Sequence, residues 1–369
     1  PTFMGGTKGP MKTITAALSA IKSWGTILVA SGNYNENLVI NQQVNLLGSG
    51  FNSIITSSNP LNPIINITGG GNGSTISGFV LKSATSSSAI VISGASTCTI
   101  KQNNITGNQI GVLVSGNNNS VSDNNISGNT VGVYIGNKTK NNSITGNQIN
   151  GSTSSGVYCE GGNNHTLKDN TITQGTSGVT VKNSKDVKIE ENRINSNNGT
   201  GISVQSSNNT TIQRNSISSN QDGIVISENS CKNLVADNSI TNNKETGVKI
   251  QKSQNNTIYH NNIQNNLQKG IDLNQSTGNM INGGNTISGS NVAIVLQNNS
   301  NNNTINGNTI SANYSLITIS NSSNNVINNN QINQFSVDQI ISAFFIPGCG
   351  IIAAQNRPLK HKNGFVFGC

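Results

Sequence analysis

One short motif recurs along most of this chain with a period of about 22 residues, and a period of that length restricts the fold more than any other feature. A Gly-aliphatic-x-aliphatic segment starts at Gly111 (GVLV), Gly132 (GVYI), Gly156 (GVYC), Gly178 (GVTV), Gly201 (GISV), Gly223 (GIVI), Gly247 (GVKI) and Gly270 (GIDL). Ala89 (AIVI) precedes the series, and Ala293 (AIVL) and Leu316 (LITI) continue it. A second marker, Ile-x-x-Asn-x-Ile, runs in phase with the first. Its Asn is Asn103, Asn124, Asn147, Asn170, Asn192, Asn215, Asn238, Asn261, Asn285, Asn308 and Asn330.

Apolar residues alternate within each short segment, which is strand periodicity: Val112 and Val114 face one way and Leu113 the other. A repeat this short cannot bury its own apolar face, so neighbouring repeats must stack on one another. The expected fold is all-β: a single-stranded right-handed parallel β-helix, a solenoid of about 12–13 coils. The recurrent Asn is expected at a bend in the left-handed conformation that Asn tolerates, with its amide stacked on its neighbours as a ladder. The recurrent Gly is expected to supply a second bend. No apolar stripe of 3.6-residue period accompanies the repeat, which excludes a helical solenoid.

Composition agrees. Only 9% of residues are charged and 4% aromatic, and the regularly spaced Ile and Val separate this chain from polar low-complexity sequence. The expected organisation is an N-terminal segment and capping helix (1–25), the β-helix (26–342) and an apolar, Cys-containing C-terminal tail (343–369) that caps the solenoid or contacts another subunit. The helix is expected over Thr13 to Ser23, with Ile14, Leu18, Ile21 and Trp24 on its apolar side. The first strands are expected at 26–30, 37–41, 44–48 and 53–56.

The opening stretch TITAALSAIKSWGTILVASGNYNENLVINQQVNLLGSG and the coils resemble the pectate-lyase-like superfamily. Within it they are similar to the subgroup built of carbohydrate-binding and sugar-hydrolase-type repeats, which includes the periplasmic accessory factor of nitrous-oxide reductase. The resemblance covers about residues 13 to 340. It implies the fold firmly and the function weakly, because this fold hosts lyases, hydrolases, tailspikes, adhesins and structural proteins. The paired Asp-Asp and the Gly-His-Gly of polygalacturonase-like enzymes are absent, as is the clustered Asp with which pectate lyases hold calcium.

Stacking the coils in phase aligns outward residues into two stripes. The first, immediately before the marker Asn, reads Asp169, Glu191, Arg214, Asp237 and His260. Glu191 and Asp237, with Arg214 between them and His260 beyond, are the candidate catalytic set. Alternate members would lie about 10 Å apart, near the upper limit for an inverting carboxylate pair. Arg214 could hold a sugar carboxylate; the same stripe also reads as a solvated ladder of alternating charge. The second stripe, along the Gly-started strands, includes Tyr134 and Tyr158 on adjacent coils, a candidate sugar-binding platform. Cross-coil ion pairs are expected for Glu160 with Lys182 and for Lys249 with Asp272.

With 21 basic and 13 acidic residues the formal charge is +8. The basic residues are scattered, which argues against a nucleic-acid surface and suits mild attraction to acidic polymers. No apolar run is long enough to span a bilayer. Five Cys, an odd number, include no CxxC pair, and neither a cofactor nor a metal is expected. Cys159 should be a buried thiol, and Cys349 and Cys369 could pair with each other or with a neighbouring chain. Two functions stand open. The first is a self-associating subunit of an extracellular or cell-surface fibre, appendage or coat. The second is a polysaccharide-binding or polysaccharide-cleaving protein, with glycans as partners.

Overall fold

The computed structural model describes residues 10–333, 352–354 and 357–358. The chain is an all-β parallel β-solenoid with very little helix, and it divides into two compact units, Pro1–Val179 and Thr180–Cys369.

Each full coil places three short strands on three sheets. In the first unit a representative coil runs Ser120–Ser122, Asn125–Ser127 and Val131–Ile135. In the second unit the equivalent coil is Leu234–Ala236, Ser239–Thr241 and Thr246–Gln251. Among the described residues the named strands of successive coils pair in parallel and keep the inward residues in register. In the first unit Ile105, Ile126 and Ile149 stack on the second sheet. In the second unit Ile217, Ile240 and Ile263 do the same. These side chains are buried, so the core is a thin aliphatic column, built in these coils from one residue per strand on the first and second sheets and two on the third. Cys159 takes one such place, in register with Ile135 and fully buried.

The marker Asn form the expected ladder. In the first unit the backbone N–H of Asn103 donates to Asn124 Oδ1, that of Asn124 to Asn147 Oδ1 and that of Asn147 to Asn170 Oδ1, each at 3.0 Å. In the second unit Asn192, Asn215, Asn238, Asn261 and Asn285 are linked in the same way at 2.9–3.0 Å. A ladder of this kind supplies partners for backbone groups that the bend removes from the sheet.

Two conformational expectations are corrected. The left-handed residue is the one before each ladder Asn: Asp123, Asp169, Glu191, Arg214, Asp237 and His260 have φ of 52° to 58°. Turning the chain there points the following Asn inward. The strand-start glycines do not bend the chain either. A Cβ on Gly132 would lie 2.5 Å from the Gly156 carbonyl oxygen and 2.7 Å from Ile149 Cγ2, and one on Gly247 would lie 2.7 Å from the Gly270 oxygen. These glycines let adjacent coils approach closely.

The helix, α1, spans Ile14–Ala20, capped by Thr13, and buries Ile14, Ala17 and Leu18. Glu36 accepts from the backbone N–H of Ile14 and Thr15, each at 2.9 Å, fixing its N-terminus. Trp24 does not belong to the apolar side: it has φ of 70° and is 76% exposed. The early strands form at Gly25–Leu28, Leu38–Ile40, Val44–Leu47 and Ser53–Thr56, with one more at Gly32–Asn35. At the other end Ile352–Ala354 pairs parallel with Val326–Asn328, and Arg357–Pro358 with Gln331–Ile332. Cys349 and Cys369 lie outside the described residues.

Candidate functional site

Because the inward positions among the described residues are mostly taken by aliphatic packing or a ladder, chemistry is sought among the residues that point outward. The ridge before the ladder Asn is the first such place. In the second unit Arg214 Nε donates to Glu191 Oε1 at 3.0 Å, and its terminal nitrogen lies 3.8 Å from Glu190. Gln213 donates to Asp237 at 3.0 Å, and His260 Nδ1 lies 3.7 Å from the same carboxylate. The ring of His260 stacks on Tyr259 with centroids 4.0 Å apart. In the first unit Asp169 has Lys168 at 4.0 Å. The four candidate catalytic residues thus sit on one open ridge, and the Arg214 guanidinium is committed to its acidic neighbours. The arrangement compensates charge along the stack.

The outward face of the third sheet differs. In the first unit Tyr134 and Tyr158 lie in register on adjacent coils. Their rings stack with centroids 5.3 Å apart and planes 14° from parallel. Flat faces in direct contact would be about 3.5 Å apart, so the rings are offset and part of each face stays open. The hydroxyl of Tyr134 donates to Glu160, which fixes the orientation of its ring. Burial, followed by that bond to a carboxylate, holds the Tyr134 hydroxyl above its ordinary range, and burial does the same for Tyr158. Both phenols are therefore neutral donors at any physiological pH.

In the second unit the same sheet face carries charge. Lys249 and Asp272 are in register as expected, but the ion pair goes elsewhere. Asp272, only 3% exposed, accepts from Lys269 Nζ at 2.7 Å and from Gln297 Nε2 at 2.8 Å. Asp222 and Glu245, two carboxylates that the stripe analysis passed over, lie in the bends that lead into strands of this sheet. They sit at the strand entrance, before the glycine and not after it. The signal available in the sequence was the coincidence of acidic residues just ahead of Gly223 and Gly247.

The sequence reading also missed three further ladders. In the first unit Asn108 N donates to Asn129 Oδ1 at 2.9 Å, and in the second Asn197, Asn220 and Asn243 continue in this style. Another runs through Asn233, Asn256 and Asn279, preceded three residues earlier by a serine ladder that includes Ser253, Ser276 and Ser300. The recurring Ser-x-x-Asn-x-aliphatic spacing was its sequence signature. His165 is a member of this system in the first unit. It is fully buried, and its Nδ1 accepts from Asn142 N at 3.1 Å where an Asn amide oxygen would otherwise stand. Burial pushes its pKa down to about 4, so it is a neutral structural group.

Comparison with known proteins places this architecture. The model of the family described as "Periplasmic copper-binding protein (NosD)" matches residues 70–246 and 243–343. The chain belongs to this family. No curated protein matches the chain in sequence at a significant level. Among solved structures, the chain is similar to the A-module of the Azotobacter vinelandii mannuronan C-5 epimerase AlgE6. That match has 16% identity and a TM-score of 0.63, and covers 87% of this chain and 94% of that one. It is also similar to the Dettilon tailspike protein, at 16% identity and a TM-score of 0.62, covering 83% of this chain and 64% of that one. The catalytic unit of an α-1,3-glucanase from Streptomyces thermodiastaticus gives 15% identity and a TM-score of 0.59, covering 85% and 66%. Identities this low establish a shared fold.

The family description raises copper, and the described residues do not fit it. No group of three or more His, Cys, Asp or Glu among them is arranged to hold a metal ion. Cys159 points into the core, His165 is spent in a ladder, and Cys98 is buried with its backbone N–H bonded to Asn119 Oδ1. Copper selects His, Met and Cys donors that converge, and these do not. No helix among the described residues is long and apolar enough to cross a membrane.

Proposed function

We propose that this protein binds an extended polysaccharide on the outward face of its third sheet, at a site built around Tyr134 and Tyr158. The observation that carries this reading is the offset pair of tyrosine rings, held in register by strand pairing and oriented by Glu160. Aromatic faces with a polar tip suit the apolar faces of sugar rings, with neighbouring hydroxyls bonded at the rim. A polymer with a regular repeat matches a surface with a regular repeat. The formal charge of +8 favours acidic glycans. Neighbours in fold named as a mannuronan epimerase and an α-1,3-glucanase act on polysaccharides, which favours this reading over the fibre-subunit one. A periplasmic or extracellular location accords with the family description.

The test is direct binding to alginate, polygalacturonate and α-1,3-glucan by titration calorimetry. Tyr158→Ala should weaken binding at least tenfold, whereas Tyr259→Ala, which removes a ring from the first sheet, should leave it unchanged. Equal affinity of wild type and Tyr158→Ala, or no binding to any of the three polymers, removes the reading.

A further inference from the structure

In the first unit the exposed large apolar side chains among the described residues are Trp24, Leu28, Val39, Phe51 and Leu61. All five belong to the first two coils. Trp24 leads into the first strand, Gly25–Leu28, and Leu28 ends it. Phe51 sits in the short 3-10 helix Gly50–Asn52, between the first-sheet strand Val44–Leu47 and the second-sheet strand Ser53–Thr56. Leu61 stands in the bend from the second sheet to the third, which is tied to the first coil by a 2.8 Å bond from Asn37 Nδ2 to Pro63 O. Val39 lies on the third sheet. The five therefore ring the N-terminal end of the stack, and no single flank gathers them.

Strand register shows that this ring is special to the end. Leu28 pairs with Leu47, but the next coils carry Ser77 and Lys101 in that column. Trp24 holds the corner position that Gly73, Thr97, Asn118 and Asn141 take farther along. Those four have φ of 56° to 74°, and Trp24 has φ of 70°. Glycine and short polar residues tolerate this left-handed backbone, whereas a bulky aromatic residue there is strained. With the ring 76% exposed, packing does not offset the strain, and strain kept on an exposed side chain points to a role outside the monomer. Between residues 10 and 81 the charged side chains are Lys12, Lys22 and Glu36. Glu36 is engaged by the backbone N–H of Ile14 and Thr15, while Lys12 and Lys22 are exposed. The end thus presents aromatic and aliphatic groups, two cations and no uncommitted carboxylate.

We propose that the N-terminal end of the solenoid seats on the surface of an anionic lipid bilayer. Trp24, Leu28, Phe51 and Leu61 enter the boundary between headgroups and acyl chains, and Lys12 and Lys22 meet lipid phosphates. Tryptophan favours this boundary, aliphatic side chains gain by leaving water there, and each Lys near an anionic surface adds attraction. A ring around an end fits a plane approached end-on. A second copy docked through the same end would set Lys12 and Lys22 against their own equivalents, with no carboxylate to neutralise them. The seat is shallow, because Gly25–Leu28 and Gly32–Asn35 are the first strands of their sheets and their open backbone groups need water. The tyrosine pair lies four coils farther along the same unit, about 19 Å along the axis, so the seat leaves it free.

The experiment uses the full chain and vesicles of phosphatidylglycerol and phosphatidylcholine in equal parts, with phosphatidylcholine alone as the neutral comparison. Trp24 is the only tryptophan of the chain, so its emission reports on this end and nowhere else. Wild type should co-sediment with the anionic vesicles, its emission should move to shorter wavelength, and brominated acyl chains should quench it. Neutral vesicles and high salt should each weaken binding. Phe51→Ser combined with Leu61→Ser should lower partitioning by about tenfold or more. The melting temperature should not change, since these side chains are 74% and 72% exposed. Lys12→Gln combined with Lys22→Gln should remove most of the preference for anionic vesicles, and Tyr158→Ala should bind as wild type does. Absence of vesicle binding overturns the proposal. Binding without a shift or quenching of Trp24 places the contact on another surface and overturns it as well. A shift that grows with protein concentration in the absence of lipid means that a second copy covers the end, and this too overturns it.

Discussion

Arg214 and Asn215 are adjacent in the chain and answer to opposite demands. Asn215 is buried in the corner: its amide nitrogen donates to Ile189 O at 2.8 Å and to Asn238 Oδ1 at 3.0 Å, and its oxygen accepts from Asn192 N at 2.9 Å. Arg214 stands on the outside of the same corner with φ of 54° and a 3.0 Å bond to Glu191. Along the stack the inner position is Asn at every marked coil, and the outer one varies freely in charge. The inner position calls for a side chain that both donates and accepts, because each must bond the next, and an amide stacked on its own kind does so. The outer position requires only a residue that tolerates a left-handed backbone.

The sharpest way to break this comparison is to truncate the inner member. Asn215→Ala leaves the Ile189 carbonyl and the Asn192 N–H without partners in a buried corner, at a cost of roughly 1–3 kcal/mol each. Unfolding in denaturant should show a loss of about 4 kcal/mol, and a loss below about 1 kcal/mol would mean the ladder is decorative.

His165 tests the ladder by pH. Its folded-state pKa is depressed to about 4 from 6.5, so the unfolded chain takes up the proton first. The contribution is complete above about pH 6.5 and falls as pH drops towards 4, by roughly 3 kcal/mol in all. His165→Asn, which restores the ladder amide, should flatten this slope in melting experiments between pH 7 and 4. An unchanged slope would place the acid sensitivity elsewhere.

Gly247→Ala probes the close approach of coils. Its Cβ would meet backbone oxygen, which cannot move aside as a side-chain tip can, and the expected loss is about 2 kcal/mol. At the small end, Arg214→Gly removes an exposed ion pair worth about 0–1 kcal/mol. It also relieves a left-handed backbone that costs a residue with a Cβ about 1 kcal/mol. The two cancel, and thermal stability should stay within about 1 kcal/mol of wild type. A large loss in Arg214→Gly would make the ridge a structural feature equal to the ladder.

Much of this architecture was legible in the sequence. The phase of Ile and Val gave the coils, their strands and their inward faces, and the Ile-x-x-Asn-x-Ile marker located one ladder correctly. The further ladders were harder to see because serine, threonine and histidine interrupt them, and because Asn is so common here that a second period hides in the background. The Tyr134–Tyr158 pair followed from phase alone. The partners of Lys249 and Asp272 did not, since side-chain length let Lys269 reach the carboxylate from its own strand.

By itself the sequence determined that the chain must stack, with what period, and which residues face inward, because burial of a repeated aliphatic pair admits one phase and a slip of one residue would expose the core. The tertiary structure alone decided which residue of each corner is left-handed, which glycines are needed for contact between coils, and which outward charges meet. Those outcomes depend on distances of a few ångströms between residues more than 20 positions apart, and no local pattern encodes them.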